Sequence, residues 1–146
     1  MNNSIGFTLF KQPKIAEGKP YSNSREVFEG LSSYVEADRE MFLVLMLNTK
    51  NQLIHIETHA IGTVNAASVF PRDIFKAALY YSAPALIFVH NHPSGNPEPS
   101  VEDKEITKTL CQGAQILGFK VLDHIIIGKD RYYSFQDNGL IPLEIQ

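Results

Sequence analysis

Cysteine is nearly absent, since Cys111 is the only one in the chain. That excludes an internal disulfide and a cysteine-ligated zinc finger, and a reducing, cytoplasmic setting is expected. Long hydrophobic runs are missing too, because no stretch approaches the roughly 18 apolar residues that a membrane span needs. The opening MNNSIGFTLFKQPK lacks the charged-then-apolar order of a signal peptide, so neither secretion nor membrane insertion is expected. Nor is there a basic excess: 13 Lys and Arg face 16 Asp and Glu, for a net charge of -3. No global positive field is therefore available to hold a phosphate backbone. Internal repeats and low-complexity tracts are absent as well.

What is present suits one compact domain. The chain has 146 residues and 44% hydrophobic content, enough to close a core without staples. Its character shifts near Lys19, Pro20 and Ser22, so residues 1–20 read as an N-terminal extension and 21–146 as the domain. Ser24 is placed to cap a helix over 25–36 carrying Val27, Leu31 and Tyr34 on one face. Met41 to Leu47 is apolar at alternating and intervening positions alike, as in a strand buried on both sides. A polar turn, Asn48 to Asn51, leads to a second strand through Leu53, Ile54, Ile56 and Ile61, and the two are expected to form a hairpin.

Pro71 suits the first turn of a helix bearing Ile74, Phe75, Ala78, Leu79 and Tyr81, which ends before Pro84. A third strand, Ala85 to His90, follows. Ser100 with Asp103 opens another helix, whose stripe of Ile106, Leu110, Ala114 and Leu117 runs to Gly118. Strands near 120–127 and 131–135 close the chain. This alternation argues for an α/β fold with a mixed sheet, combining hairpins with a crossover.

The segment from His90 to Asp103 carries the chemistry. Side chains two apart at a strand end point the same way, so His90 and His92 can present ring nitrogens to one cation. Pro93, Gly95, Pro97 and Pro99 turn the backbone stiffly, letting the next helix start close to the strand it left. Asp103, in the first turn of that helix, supplies a third ligand. Two imidazoles and one carboxylate leave the fourth tetrahedral position of a Zn2+ ion open, the mark of a catalytic rather than a structural site. Zinc lowers the pKa of water in that position to about 7 and polarises a carbonyl. Glu40, entering the buried first strand, is the expected proton acceptor, with Glu36 as its substitute.

Each of these residues also has a plainer explanation. A lone H-x-H pair is usually structural, Ser-x-x-Asp is a helix cap, and Glu40 keeps company with Glu36, Asp38 and Arg39 in a solvated turn. Yet two His, one Ser and one Asp at these offsets arise by accident in only on the order of one in several thousand chains of this length.

The string His90-x-His92, seven residues, Ser100, two residues, Asp103 resembles the JAMM motif of MPN+/JAB metallopeptidases. HNHPSG at 90–95, Pro99-Ser100, LDHIIIG at 122–128 and EMFLVLMLNTKN at 40–51 narrow the likeness to RadC-type proteins over residues 24–141. The resemblance implies a three-layer α/β/α sandwich of the cytidine-deaminase-like (JAB/MPN) fold. It further implies zinc ligands at His90, His92 and Asp103, Glu40 as catalytic acid/base, and Ser100 as oxyanion stabiliser. Full-length RadC-type proteins also carry an N-terminal helix-hairpin-helix DNA-binding region. It has no counterpart in these residues, so a short form is expected. Deamination does not carry across, because it needs H-x-E and a later P-C-x-x-C.

A zinc-dependent hydrolase acting on a peptide or protein conjugate is the leading expectation. One rival is a DNA-repair or replication-associated module. Its basic residues, Lys104, Lys108, Lys120, Lys129 and Arg131, are scattered among acids as on a solvated surface. Another is a metal-bound scaffold without activity, which the full ligand set disfavours. His55 and His59 read as surface residues of a strand, and His124 as a core residue or a support behind the ligands. Cys111 reads as a small buried side chain, and Tyr132 and Tyr133 as strand packing with polar tips.

Overall fold

The continuous apolar run Met41–Leu47 is buried at all seven positions, and so is Ala85–Asn91. In the computed structural model these segments form β1 and β3, the two strands that lie side by side in a five-stranded sheet. The structure describes residues 18–35, 38–62, 64–65 and 67–142. The remaining elements are α1 (Ser24–Leu31), β2 (Leu53–Ile61), α2 (Pro71–Tyr80), α3 (Val101–Leu117), β4 (Lys120–Ile127) and β5 (Tyr132–Ser134). The sheet order is β2-β1-β3-β4-β5.

Side chains alternate across the sheet and build a core on each face. Phe42, Val44, Met46, Leu86 and Phe88 pack with Ile74, Phe75 and Ala78 of α2 and with Ile106, Leu110 and Ala114 of α3. Leu43, Leu45, Leu47, Ile87 and Val89 pack on the other face with Val27 and Leu31 of α1. The result is three layers, helix–sheet–helices, the α/β architecture the sequence predicts. Removing a Leu or Phe side chain of this kind from water contributes about 1.5–3 kcal/mol.

Strand direction decides where the site forms. β1 pairs with β2 as the expected antiparallel hairpin and is also antiparallel to β3. β3 and β4 run parallel and are joined by the α3 crossover. The start of β1, the end of β2, the end of β3 and the start of α3 therefore meet at one edge of the sheet. In open α/β sheets that carboxyl end is where ligands bind.

Several expectations need correction. α1 spans Ser24–Leu31 rather than 25–36, and its cap is Asn23, not Ser24. Asn23 has the extended backbone a cap requires (φ -155°, ψ 169°), and its side chain accepts from the Glu26 amide. Ser24 is already helical, and its hydroxyl donates to Asp137 and lies beside the Tyr132 hydroxyl. Glu36 lies outside the described residues. Leu79 and Leu117, predicted on buried stripes, are 60% and 52% exposed. Both sit in the last turn of a helix. No helix among the described residues is long and apolar enough to cross a membrane.

Candidate metal centre

His90 occupies the penultimate position of β3, paired with Phe42 on one side and Ile126 on the other. His92 follows the strand, its amide extending the ladder to the Ile127 carbonyl at 2.9 Å. The period of the strand thus turns both rings to one side. Their Nε2 atoms are 3.2 Å apart. Asp103 closes the triangle, with Oδ1 at 3.3 Å from His90 Nε2 and Oδ2 at 3.0 Å from His92 Nε2. One donor atom from each of the three residues falls within a 4.8 Å cluster, and both His90 and Asp103 are buried.

The loop between His92 and Asp103 is pinned against the β4–β5 turn. Gly95 adopts φ +87°, its amide donates to the His92 carbonyl at 2.9 Å, and its own carbonyl accepts from the Lys129 amide at 2.8 Å. Gly128 permits that approach, because a Cβ there would stand 2.4 Å from the Gly95 carbonyl oxygen and 2.8 Å from Pro97 Cδ. Backbone rather than a flexible tip is in the way. Gly128→Ala is therefore expected to destabilise the protein by about 1–3 kcal/mol and to displace the loop joining His92 to Asp103. Urea unfolding measures the first effect and zinc titration the second. An unaltered unfolding midpoint would mean the loop retreats freely.

Asp103 reaches the cluster because α3 begins where it does. Ser100 is the N-cap, and a full capping box forms: Ser100 Oγ accepts from the Asp103 amide at 3.0 Å, and Asp103 Oδ2 accepts from the Ser100 amide at 2.8 Å. Capping and site geometry are one arrangement here. The helix N-terminus also favours the negative charge. Burial works to raise the Asp103 carboxyl, but the adjacent His90 and His92 rings and the Ser100 amide outweigh it and hold the group well below the usual carboxylate range.

The reciprocal effect falls on His92, whose pKa its hydrogen bond with Asp103 raises above the ordinary 6.5, against desolvation. In chelated protein this pair stabilises the fold fully below pH 6.5, and the contribution is lost as pH rises through the raised value. A cation must displace the same proton. Affinity for the cation is accordingly expected to fall about tenfold per pH unit below the raised His92 value and to level off above it. Chelator-competition titrations across that range check this, and a flat profile would remove His92 from the ligand set.

Glu40 stands immediately before β1. Its Oε2 accepts from the Val64 amide at 2.7 Å, and its backbone carbonyl accepts from the Gly62 amide at 2.8 Å. Its charge reaches the cluster, contributing to the raised pKa of His92. The sequence reading missed what holds it there. Asn91, buried between the two histidines, uses Oδ1 to accept from the Met41 amide at 2.8 Å and Nδ2 to donate to the Arg39 carbonyl at 2.9 Å. One side chain thus brackets Glu40 from both sides. A polar residue at an inward-facing strand position is the only signal the sequence offered.

Ser100 is exposed, and capping consumes a lone pair of its hydroxyl, not its proton. The hydroxyl can still donate. The remaining histidines divide. His55 stacks on Tyr81 at 4.0 Å between ring centroids, and His59 Nε2 accepts from the Phe70 amide, so neither joins the cluster. His124 is fully buried behind His90, and desolvation pushes its pKa well below the usual value. Thr107, which the sequence reading passed over, lies against it. Cys111 is buried, and burial lifts its thiol to about 11, which disqualifies it as a nucleophile at neutral pH.

The donor set fits a first-row divalent cation. Ligand bonds of about 2.0–2.1 Å in a tetrahedron place neighbouring donors about 3.3–3.4 Å apart; the two imidazole nitrogens are 3.2 Å apart, and each faces a different oxygen of the Asp103 carboxylate, at 3.3 and 3.0 Å. Among the described residues these three form the cluster that can close on one ion, which would leave one tetrahedral position for water or substrate.

Comparison with known proteins agrees with this geometry. Residues 21–140 match the RadC-like JAB domain family. A UPF0758 protein of Desulforamulus reducens is 53% identical over 106 residues, covering 73% of this chain and 47% of the relative. A UPF0758 protein of Symbiobacterium thermophilum is 47% identical over 120 residues, covering 82% of this chain and 51% of the relative. One from Methanosarcina mazei is 49% identical over 135 residues, covering 92% of this chain and 57% of the relative. The chain thus spans about half the length of the curated relatives it matches. With its mixed sheet, its three layers and a His-His-Asp cluster that can hold a metal, the chain belongs to the RadC-like JAB domain family.

Proposed function

We propose that this protein is a zinc-dependent hydrolase that cleaves an amide bond in a peptide or protein conjugate, with His90, His92 and Asp103 as zinc ligands. The observation that carries the reading is the cluster of two imidazole nitrogens, 3.2 Å apart, each within 3.3 Å of an oxygen of one buried carboxylate, a borderline-soft donor set. Zinc held there supplies Lewis acidity, which lowers the pKa of water to about 7 and polarises a carbonyl.

The chain's own groups do the rest. Glu40, anchored through Oε2 on the Val64 amide, has Oε1 left to take a proton from the attacking water and return it to the departing amine. Ser100 donates its hydroxyl proton toward the oxygen on which negative charge develops. Asn91 holds the Glu40 backbone in register, so the base meets the water without a reorganisation step.

The test pairs metal analysis of the purified protein with hydrolysis assays on peptide-linked and isopeptide-linked substrates, before and after chelation. Stoichiometric zinc and a chelation-sensitive activity that zinc restores are expected. Full activity after complete chelation would dispose of the reading.

A further inference from the structure

We propose that His124 and Thr107 are positioning residues that fix which nitrogen of His90 carries its proton, through a run of hydrogen bonds that begins at the Asp103 backbone carbonyl. The geometry stands by itself. Its use rests on the zinc reading above.

Proton bookkeeping gives the direction of each bond. The Asp103 carbonyl oxygen can only accept, so Thr107 donates its hydroxyl proton to it at 2.8 Å. A threonine hydroxyl has one proton. Toward His124 Nδ1, which it also touches, the same oxygen must therefore accept. The His124 ring is fully buried, which disfavours a charged imidazolium, so it carries a single N–H, and Thr107 places it on Nδ1. Its Nε2 is then an acceptor, and His90 Nδ1 at 2.8 Å must donate to it. The proton of His90 is thereby held on Nδ1. Its Nε2 lone pair faces His92 Nε2 at 3.2 Å and Asp103 Oδ1 at 3.3 Å.

His92 reaches the same state once it gives up the proton that its Nε2 donates to Asp103, since its Nδ1 faces the Asn96 carbonyl at 2.8 Å and must donate there. With His92 neutral, two bare nitrogens stand beside a carboxylate, an arrangement of acceptors that calls for a cation. The run also ties three elements together. His90 is on β3, His124 on β4 and Thr107 on α3, one turn beyond Asp103. The helix turn that delivers the third ligand therefore sets the tautomer of the first. Partners behind a ligating histidine commonly act this way, by fixing ring orientation and tautomer.

The decisive experiment reads tautomers directly, by long-range proton–nitrogen NMR on histidine-labelled, chelated protein, alongside zinc affinity by competition. In the wild type, His90 and His124 should both carry their proton on Nδ1. Thr107→Val keeps the shape but removes the acceptor, so His124 is released to move its proton to Nε2 and oppose His90. His90 should then lose its fixed tautomer, and zinc affinity should fall roughly 10- to 100-fold. Thr107→Ser should recover both, which a purely packing role would not predict. Finding His90 protonated on Nε2 in the wild type would overturn the proposal, as would equal weakening by the Val and Ser variants. Wild-type protein with the stated tautomers but no zinc affinity would instead overturn the hydrolase reading and leave the proton arrangement standing.

Discussion

Glu40→Gln is expected to lower kcat on an amide substrate by about 100- to 10,000-fold, the range for loss of a positioned general base, while zinc content stays at wild type. Glutamine keeps an oxygen to accept from the Val64 amide at 2.7 Å, so the turn that Glu40 organises is preserved. What it loses is the ability to take a proton. KM should move little, because in the proposed mechanism the carboxylate acts on the water rather than on substrate binding. Steady-state kinetics with metal analysis on the same preparation check this. Near-normal kcat in a zinc-loaded variant would strip Glu40 of its role and make Glu36→Gln the next variant to measure.

Asp103→Ala should abolish both zinc binding and turnover, with affinity down by at least about 100-fold, since a direct ligand outweighs the supporting contacts for which 10- to 100-fold is typical. Alanine removes the only anion of the triangle and returns the His92 pKa toward 6.5. It also dismantles the capping box, which costs about 0.5–2 kcal/mol. Ser100→Ala is the control that separates these losses. It removes the same cap but no ligand, so zinc should remain, while kcat drops by about 100- to 1,000-fold for want of an oxyanion donor. Zinc loss of equal size in both variants would mean that helix capping, not ligation, governs the site.

Local pattern made much of this protein legible. The apolar runs of β1 and β3 announced strands buried on both faces, since only a central strand has no solvent side on which polar residues could stand. The α3 boundaries followed from Ser100 at one end and Gly118, at φ +85°, at the other. Misjudgements came where two adjacent residues compete for one local role. Asn23 and Ser24 are both good caps, and Ser24 was drawn into the helix while its hydroxyl engaged Asp137, distant in the chain. Leu79 and Leu117 fit their apolar stripes, but periodicity does not tell where the opposing layer stops.

The spacing of His90, His92, Ser100 and Asp103 is short-range, and so the donor set could be read from order along the chain: a strand end, a stiff loop and a helix start allow few relative placements. Its supports could not. Asn91 reaches residues 50 and 52 positions away, and His90 meets His124 across 34, contacts that exist only because β1 lies antiparallel and β4 parallel to β3. The sequence by itself determined which atoms were able to bind an ion. Strand register, a property of the folded sheet as a whole, decided which buried groups stand behind them.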